Sequence, residues 1–161
     1  MNKEKFENLE ITKTENINKN PTIATITVGN SIIQLNLSRM TLTIENLDKI
    51  VSEVLSKKTA ISQNLNGNWF PCGFANLWID GKNPLVKFIK KNGTAERNGY
   101  FQLGKLEISK AYKTGYSVYL RYNGTSALEQ QSLNFKTPLY QLLQIGLAQM
   151  GITSELRTAV D

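Results

Sequence analysis

The chain has 161 residues, of which 40% are hydrophobic and 20% charged. This length and composition predict one folded domain rather than a disordered chain. It contains no histidine and one cysteine, Cys72. These counts exclude histidine-dependent nucleophiles and general bases, disulfides within the chain, and zinc sites built from histidine or several cysteines.

The positive charge, +6 in total, is concentrated in the second half of the chain. Residues 1–80 carry eight basic and eight acidic side chains, whereas residues 81–161 carry eleven basic and five acidic ones. Between Lys82 and Arg121, nine basic residues stand against two acidic ones, a net charge of +7. Such a stretch indicates an anionic partner, although solvated lysines that keep a domain in solution give the same pattern.

The two ends of the chain are predicted to be flexible. Residues 1–20 alternate lysine and glutamate without an apolar run, which predicts a tail and no signal peptide. No stretch of about 18 apolar residues occurs, so no membrane span is expected. We expect one domain over 21–155 and a second flexible segment at 156–161. With a single cysteine, these features predict a reducing, cytoplasmic location, or the host cytoplasm for a viral protein.

A hairpin and a helix are the first elements predicted. Apolar and polar residues alternate on both sides of Gly29-Asn30, which predicts two antiparallel strands joined by a two-residue turn. Thr43 then precedes apolar residues at helical spacing that continue to about Lys57. Residues 58–68 are polar and end in Asn66-Gly67-Asn68, which is typical of a loop.

A strand, a short helix and two further strands follow. Trp69 to Asp80 is predicted as a strand, and Asn83-Pro84 opens a short helix that Asn92-Gly93 ends. From Tyr100 apolar and polar residues alternate, but the apolar positions switch to the other face partway along the segment. A β-bulge at Gly104 explains this switch. Tyr116 to Tyr122 alternates again, and its parity places Tyr119 and Arg121 on the face opposite the core.

The last predicted elements are a weak strand over 127–135 and a helix from Leu139 to Met150, opened by Thr137-Pro138. This helix is apolar over most of its circumference, so we expect deep burial, with an oligomer contact as the alternative. Such an oligomer interface would consist of Leu139, Leu142, Leu143, Leu147 and Met150. The whole pattern predicts an α+β fold, in which a mainly antiparallel sheet built from hairpins is packed by two amphipathic helices and one short helix.

Candidate catalytic groups are few. Of the three aspartates only Asp80 lies at a strand end, where a turn with Gly81 explains it. Cys72 has no histidine to act as its base, and we expect it to be buried. No glycine-rich phosphate-binding motif occurs. We therefore predict no enzymatic activity, no cofactor and no metal.

Basic and aromatic residues are interleaved over 82–122, a pattern typical of surfaces that hold single-stranded nucleic acid by its phosphates and bases. We predict a non-catalytic protein that binds single-stranded DNA or RNA with this segment. The predicted contact residues are Lys87, Lys90, Lys91, Lys105, Lys110, Tyr112, Lys113, Tyr119 and Arg121.

Two other function classes fit the same sequence. A structural or protein-interaction subunit, for example of a virus or another assembly, would use the C-terminal helix or the Trp69–Trp78 strand as its interface. A small enzyme, or a protein that sequesters an anionic small molecule, would line a pocket with the same lysines.

Overall fold

Two antiparallel sheets and five helices make up the part of the chain that the computed structural model describes, residues 9–12, 22–122 and 127–160. The smaller sheet has the order β1-β2-β3 and contains β1 (Leu9–Thr12), β2 (Thr22–Val28) and β3 (Ser31–Leu37). The helices are α1 (Ile44–Leu55), α2 (Lys58–Leu65), α3 (Pro84–Asn92), α4 (Ala127–Gln131) and α5 (Leu133–Ala148).

The larger sheet has six strands in the order β5-β6-β7-β8-β4-β9, and every neighbouring pair is antiparallel. The strands are β4 (Gly73–Ile79), β5 (Thr94–Ala95), β6 (Phe101–Leu103), β7 (Leu106–Lys110), β8 (Tyr116–Leu120) and β9 (Glu155–Val160). The predicted α+β class with mainly antiparallel sheets is confirmed.

The elements with the clearest local signals form where the sequence predicts them. β2 and β3 pair from Thr22 to Leu37, and Gly29 takes a positive φ of 61° in the turn between them. Thr43 caps α1, since its hydroxyl accepts a hydrogen bond of 3.1 Å from the backbone N–H of Asn46. In the same way Asn83 caps α3 by accepting from the N–H of Leu85 at 3.0 Å.

The predicted bulge at Gly104 is instead a tight hairpin turn between β6 and β7. Leu103 pairs with Leu106 and Phe101 with Ile108, and Gly104 has a φ of 58° in the two-residue turn. Directly opposed residues of antiparallel strands point to the same face. The turn therefore brings all four apolar side chains to one face and accounts for the switch of the apolar positions.

The C-terminal helix starts earlier than predicted. The hydroxyl of Ser132 accepts from the N–H of Phe135 at 3.2 Å and caps α5, so Pro138 lies inside the helix. The first turn is stabilised by distant partners, because the Phe135 ring packs against Trp69 and Tyr122 with centroids 6.3 and 6.5 Å apart. The strand predicted over 127–135 is wrong, since α4 and the start of α5 occupy this range.

Three further segments differ from the sequence prediction. Residues 58–65, predicted as loop, form α2, which buries Ile61 and Leu65 one turn apart. Residues 9–12, within the predicted tail, form β1 against β2, while the rest of that tail lies outside the described residues. Residues 155–160, mostly within the predicted flexible C-terminus, form β9. Every residue of β9 pairs with β4.

Helix α5 lies between the two sheets and forms the centre of the core. It contacts β4 and β9 of the larger sheet, β2 of the smaller sheet, and helices α1, α2 and α4. Twelve of its sixteen residues are buried. The predicted oligomer interface is therefore not available at the surface, because its residues have exposures of 0–8% within this chain: Leu139, Leu142, Leu143, Leu147 and Met150.

A close approach of α1 to α5 depends on Gly146. A Cβ atom at this position would lie 2.5 Å from the Cγ2 of Ile50. We expect Gly146→Ala to lower the free energy of unfolding by about 1–3 kcal/mol through overpacking, measured by urea denaturation. Gly81→Ala is the matched control because no atom lies within 4 Å of its Cβ. Equal stability of both variants would contradict this helix contact.

Candidate nucleic-acid interface

The two faces of the larger sheet have different roles. The inner face is buried and aliphatic where it meets α5 and α3, and its central residues are Leu77, Ile79, Leu106, Ile108, Val118 and Leu120. Side chains of the opposite parity remain partly or fully exposed, except Ser109 on β7, which is buried. We define this outer face by Phe74, Asn76 and Trp78 on β4, Tyr119 on β8, Glu107 on β7 and Arg157 on β9.

Aromatic side chains line the outer face along β4 and β8. Phe74 is 63% exposed, and Trp78 and Tyr119 are half-buried. The indole N–H of Trp78 donates a hydrogen bond of 2.8 Å to the carbonyl of Thr114. Gly115 leaves room for this ring, since a Cβ there would lie 2.4 Å from the indole nitrogen. The β7–β8 connection thus holds the Trp78 ring in one orientation.

Two cations lie over rings of this face. The Arg157 guanidinium is 4.5 Å from the Trp78 ring centroid and 3.4 Å from a carboxylate oxygen of Glu155. The Lys136 ammonium is 5.6 Å from the Phe74 centroid and donates to the carbonyl of Gly73 at 2.7 Å. Each cation is held against an aromatic surface at a distance typical of cation–π contacts.

Arg121 is engaged within the protein. Its guanidinium lies 2.9 Å from Glu96 and 3.3 Å from Glu107, and it donates to the side-chain oxygen of Gln102 at 2.6 Å. Burial raises the pKa of Glu107, Arg121 opposes this shift and the charge of Glu96 adds to it. Arg121 therefore ties β8 to the β5–β7 edge of the sheet, and its charge is largely compensated.

A cleft opens where β4 and β8 diverge. These strands pair only over Leu77–Ile79 and Tyr116–Val118. Beyond that point the hydroxyl of Tyr140, from α5, accepts the backbone N–H of Leu120 at 2.9 Å. The resulting cleft, of about 520 Å³, is lined by both strand ends and by α4 and α5; the lining side chains include Phe74, Asn76, Tyr119, Arg121, Tyr122, Gln130, Lys136 and Tyr140.

Burial keeps two tyrosines of the cleft protonated. It raises the pKa of Tyr122 from 10.0 to about 12, with a smaller contribution from the charge of Glu129. Burial also raises the pKa of Tyr140 well above its ordinary value. Both phenols therefore remain neutral hydrogen-bonding groups at physiological pH.

The predicted contact residues do not form one surface. Lys87, Lys90 and Lys91 lie on α3, and Lys90 contacts residues of inner parity: it donates to the Tyr116 hydroxyl at 2.7 Å and lies 5.3 Å from the Phe101 centroid. The predicted residues of the β7–β8 connection lie near this end of the sheet: Lys110 pairs across the strands with Tyr116, and Lys113 lies over the ring of the exposed Tyr112.

The other three predicted contact residues, Lys105, Tyr119 and Arg121, lie elsewhere on the sheet. Lys105 lies in the β6–β7 turn, beside a groove lined by α1 residues such as Asp48. Tyr119 lies on the outer face, as its parity predicted, and Arg121 follows it at the end of β8. The structure thus separates the predicted set into an α3 and hairpin group and a second group of Lys105, Tyr119 and Arg121, in which the backbone N–H of Arg121 donates to the carbonyl of Lys105 at 2.8 Å.

The nucleic-acid contact set predicted from the sequence leaves out Phe74, Asn76, Trp78, Lys136 and Arg157, although the first three lie in the Trp69–Trp78 strand that the sequence offered as a protein interface. A signal for the first three is present in β4, where Ala75, Leu77 and Ile79 alternate with a phenylalanine, an asparagine and a tryptophan. Two aromatic residues on the parity opposite the aliphatic ones indicate that this strand presents an aromatic face outside the core. Lys136 and Arg157 have no such local signal.

Among residues 9–12, 22–122 and 127–160, no three His, Cys, Asp or Glu side chains group closely enough to hold a metal ion. No helix in this part of the chain combines the length and apolar character of a membrane span. Comparison with protein-family models, curated proteins and solved structures finds no match. The function is therefore inferred from the residues of this chain.

Because the pKa of Tyr122 is raised, the stability of the protein varies with pH in the alkaline range. The folded chain keeps this proton up to about pH 12, whereas the unfolded chain releases it near pH 10. We therefore expect the free energy of unfolding to fall as the pH rises between these values. In urea denaturation at increasing pH, Tyr122→Phe should show a shallower fall than the unmodified protein. Tyr112→Phe, on an exposed ring, should leave the slope unchanged; identical slopes for all three proteins would disprove the assignment.

Proposed function

We propose that the protein binds single-stranded nucleic acid on the outer face of its larger sheet. The observation that carries this proposal is the set of three accessible aromatic residues, Phe74, Trp78 and Tyr119, with cations held over two of the rings. Aromatic faces stack with every base, and cations neutralise phosphates, so such a surface suits a strand whose bases are unpaired.

The spacing of the aromatic residues also suits an extended strand. Phe74 and Trp78 lie four residues apart on β4, about 13 Å along the strand. Tyr119 lies on the neighbouring β8, on the same face. Bases are therefore offered more than one stacking position within a single face. A double helix, with its bases already paired and stacked, would gain nothing from these rings.

The charges are assigned differently from the sequence prediction. Arg157 and Lys136 lie beside the exposed rings and are our candidates for phosphate contact. Arg121 positions the sheet edge, because Glu96 and Glu107 already pair with it. The α3 lysines contribute to the positive field that attracts a polyanion over longer distances.

A binding role without catalysis is part of the same proposal. The acidic side chains nearest the outer face, Glu96, Glu107 and Glu155, are paired with arginines, which suits structural rather than acid–base roles. Cys72 is a free thiol. We accordingly propose a reducing, cytoplasmic setting for this activity.

The test is binding of a fluorescent single-stranded oligonucleotide, measured by anisotropy. We expect Phe74→Ala to weaken binding by about 1–3 kcal/mol, because one stacking surface is removed. Phe70→Ala is the matched control: Phe70 is 67% exposed but precedes the strand. No binding of the unmodified protein at low salt would refute the proposal.

Salt dependence identifies the cationic surface. Affinity should fall steeply as salt increases, and Arg157→Gln should reduce the slope of log Kd against log salt by about one. Lys87→Gln, on α3, should leave this slope unchanged. If instead the α3 variant lowers the slope and the Arg157 variant does not, the binding surface is the α3 group and not the outer face.

A second candidate function is self-association through the β9 edge. Three exposed apolar side chains, Phe70, Phe74 and Val160, lie at one end of the β4–β9 pair, and β9 is an edge strand. Edge strands with exposed apolar residues readily pair with another strand. If this is the function, light scattering gives a dimer that Val160→Glu converts to a monomer. A monomeric unmodified protein at about 100 μM would exclude it.

A further inference from the structure

The cleft between β4 and β8 has the size of a ligand site. Its volume of about 520 Å³ falls within the range of about 300–1,000 Å³ that is usual for small-molecule sites. It exists because the β4–β8 ladder stops at Leu77 and Val118 and the Tyr140 hydroxyl takes the next backbone N–H of β8. The gap between the two strands is therefore built into the sheet.

One of the residues that line this cleft carries a buried, unsatisfied hydrogen-bond acceptor. The side-chain oxygen Oδ1 of Asn76 is buried and has no hydrogen-bond donor among the described residues. A buried acceptor without a partner is costly, about 1–3 kcal/mol, and such groups in native proteins call for a specific explanation. A ligand that donates an N–H to this oxygen would supply the missing partner.

The other lining residues restrict the chemistry of that ligand. Tyr119, Tyr122 and Phe74 give aromatic surface, and burial keeps the Tyr122 phenol neutral. Lys136 brings positive charge to the same cleft, whereas Glu96 and Glu107 largely compensate the charge of Arg121. The complementary ligand is planar, carries an N–H donor on its edge and is attached to an anionic group. A nucleotide has all three properties.

We propose that this cleft takes one unstacked nucleobase, toward which the Asn76 side chain turns so that Oδ1 accepts the edge N–H of the base, while the phosphate of the nucleotide lies toward Lys136. The inference rests on the proposed function, since the base belongs to the strand that the outer face holds: Asn76 lies between Phe74 and Trp78 on the same face of β4. The outer face supplies general stacking, and the cleft holds a single base by hydrogen bonding.

Two measurements test the proposal. In oligonucleotide anisotropy, Asn76→Leu should weaken binding about tenfold, whereas Asn92→Leu should leave it unchanged. Asn92 is the matched control because it is exposed on α3, where its side-chain amide donates to the carbonyl of Phe88. In NMR titration of the unmodified protein, cytidine 5′-monophosphate should shift the side-chain amide resonances of Asn76, and ribose 5-phosphate, which has no base, should not.

The outcomes separate this inference from the proposed function. Oligonucleotide binding that is unaffected by Asn76→Leu, with no shift of the Asn76 amide on adding the nucleotide, overturns the base pocket and leaves the outer-face proposal standing. Nucleotide-specific shifts without oligonucleotide binding overturn the proposed function and support a mononucleotide site. Absence of both kinds of binding overturns both.

Discussion

A helix that is apolar over most of its circumference must be covered on more than one side, and α5 is such a helix. The larger sheet covers it through β4 and β9, the smaller sheet through β2, and α1, α2 and α4 pack around the rest. Its contact with α1 is so close that Gly146 leaves no space for a methyl group beside Ile50. The order of layers, sheet, helix and sheet, follows from the burial of this one element.

The same helix shapes the surface on the far side of the sheet. Tyr140 projects from α5 to the backbone of β8 and replaces a strand partner where β4 and β8 part. Because α5 covers the inner face of the sheet, the polar and aromatic side chains of β4 lie on the outer face. The outer face and the cleft are thus consequences of how the core is packed.

In the proposed function, basic residues contribute to nucleic-acid binding in two ways. Most basic residues of 82–121 lie on α3 and on hairpin turns, and the proposal assigns the α3 lysines to the long-range field of the protein. The proposed local contacts are Lys136 and Arg157, which lie outside that stretch and are held over aromatic rings. The most basic stretch of the sequence therefore does not coincide with the proposed contact surface.

Several features were determined by neighbouring residues alone. The Gly29-Asn30 turn, the caps at Thr43 and Asn83, and the outward parity of Tyr119 depend on hydrogen bonds and alternation within a few residues, so the sequence predicts them. The absence of histidine likewise excludes histidine-dependent nucleophiles and general bases from the sequence alone.

Other features were decided by the tertiary structure. The start of α5 depends on Phe135 packing against Trp69 and Tyr122, and β9 exists because β4 offers it a partner more than seventy residues away. The cleft around Asn76 requires α5, β4 and β8 together. Turns, caps and strand parity are fixed by local geometry, whereas strand order and the side chains that meet across a sheet depend on contacts between residues distant in the chain, which no local pattern encodes.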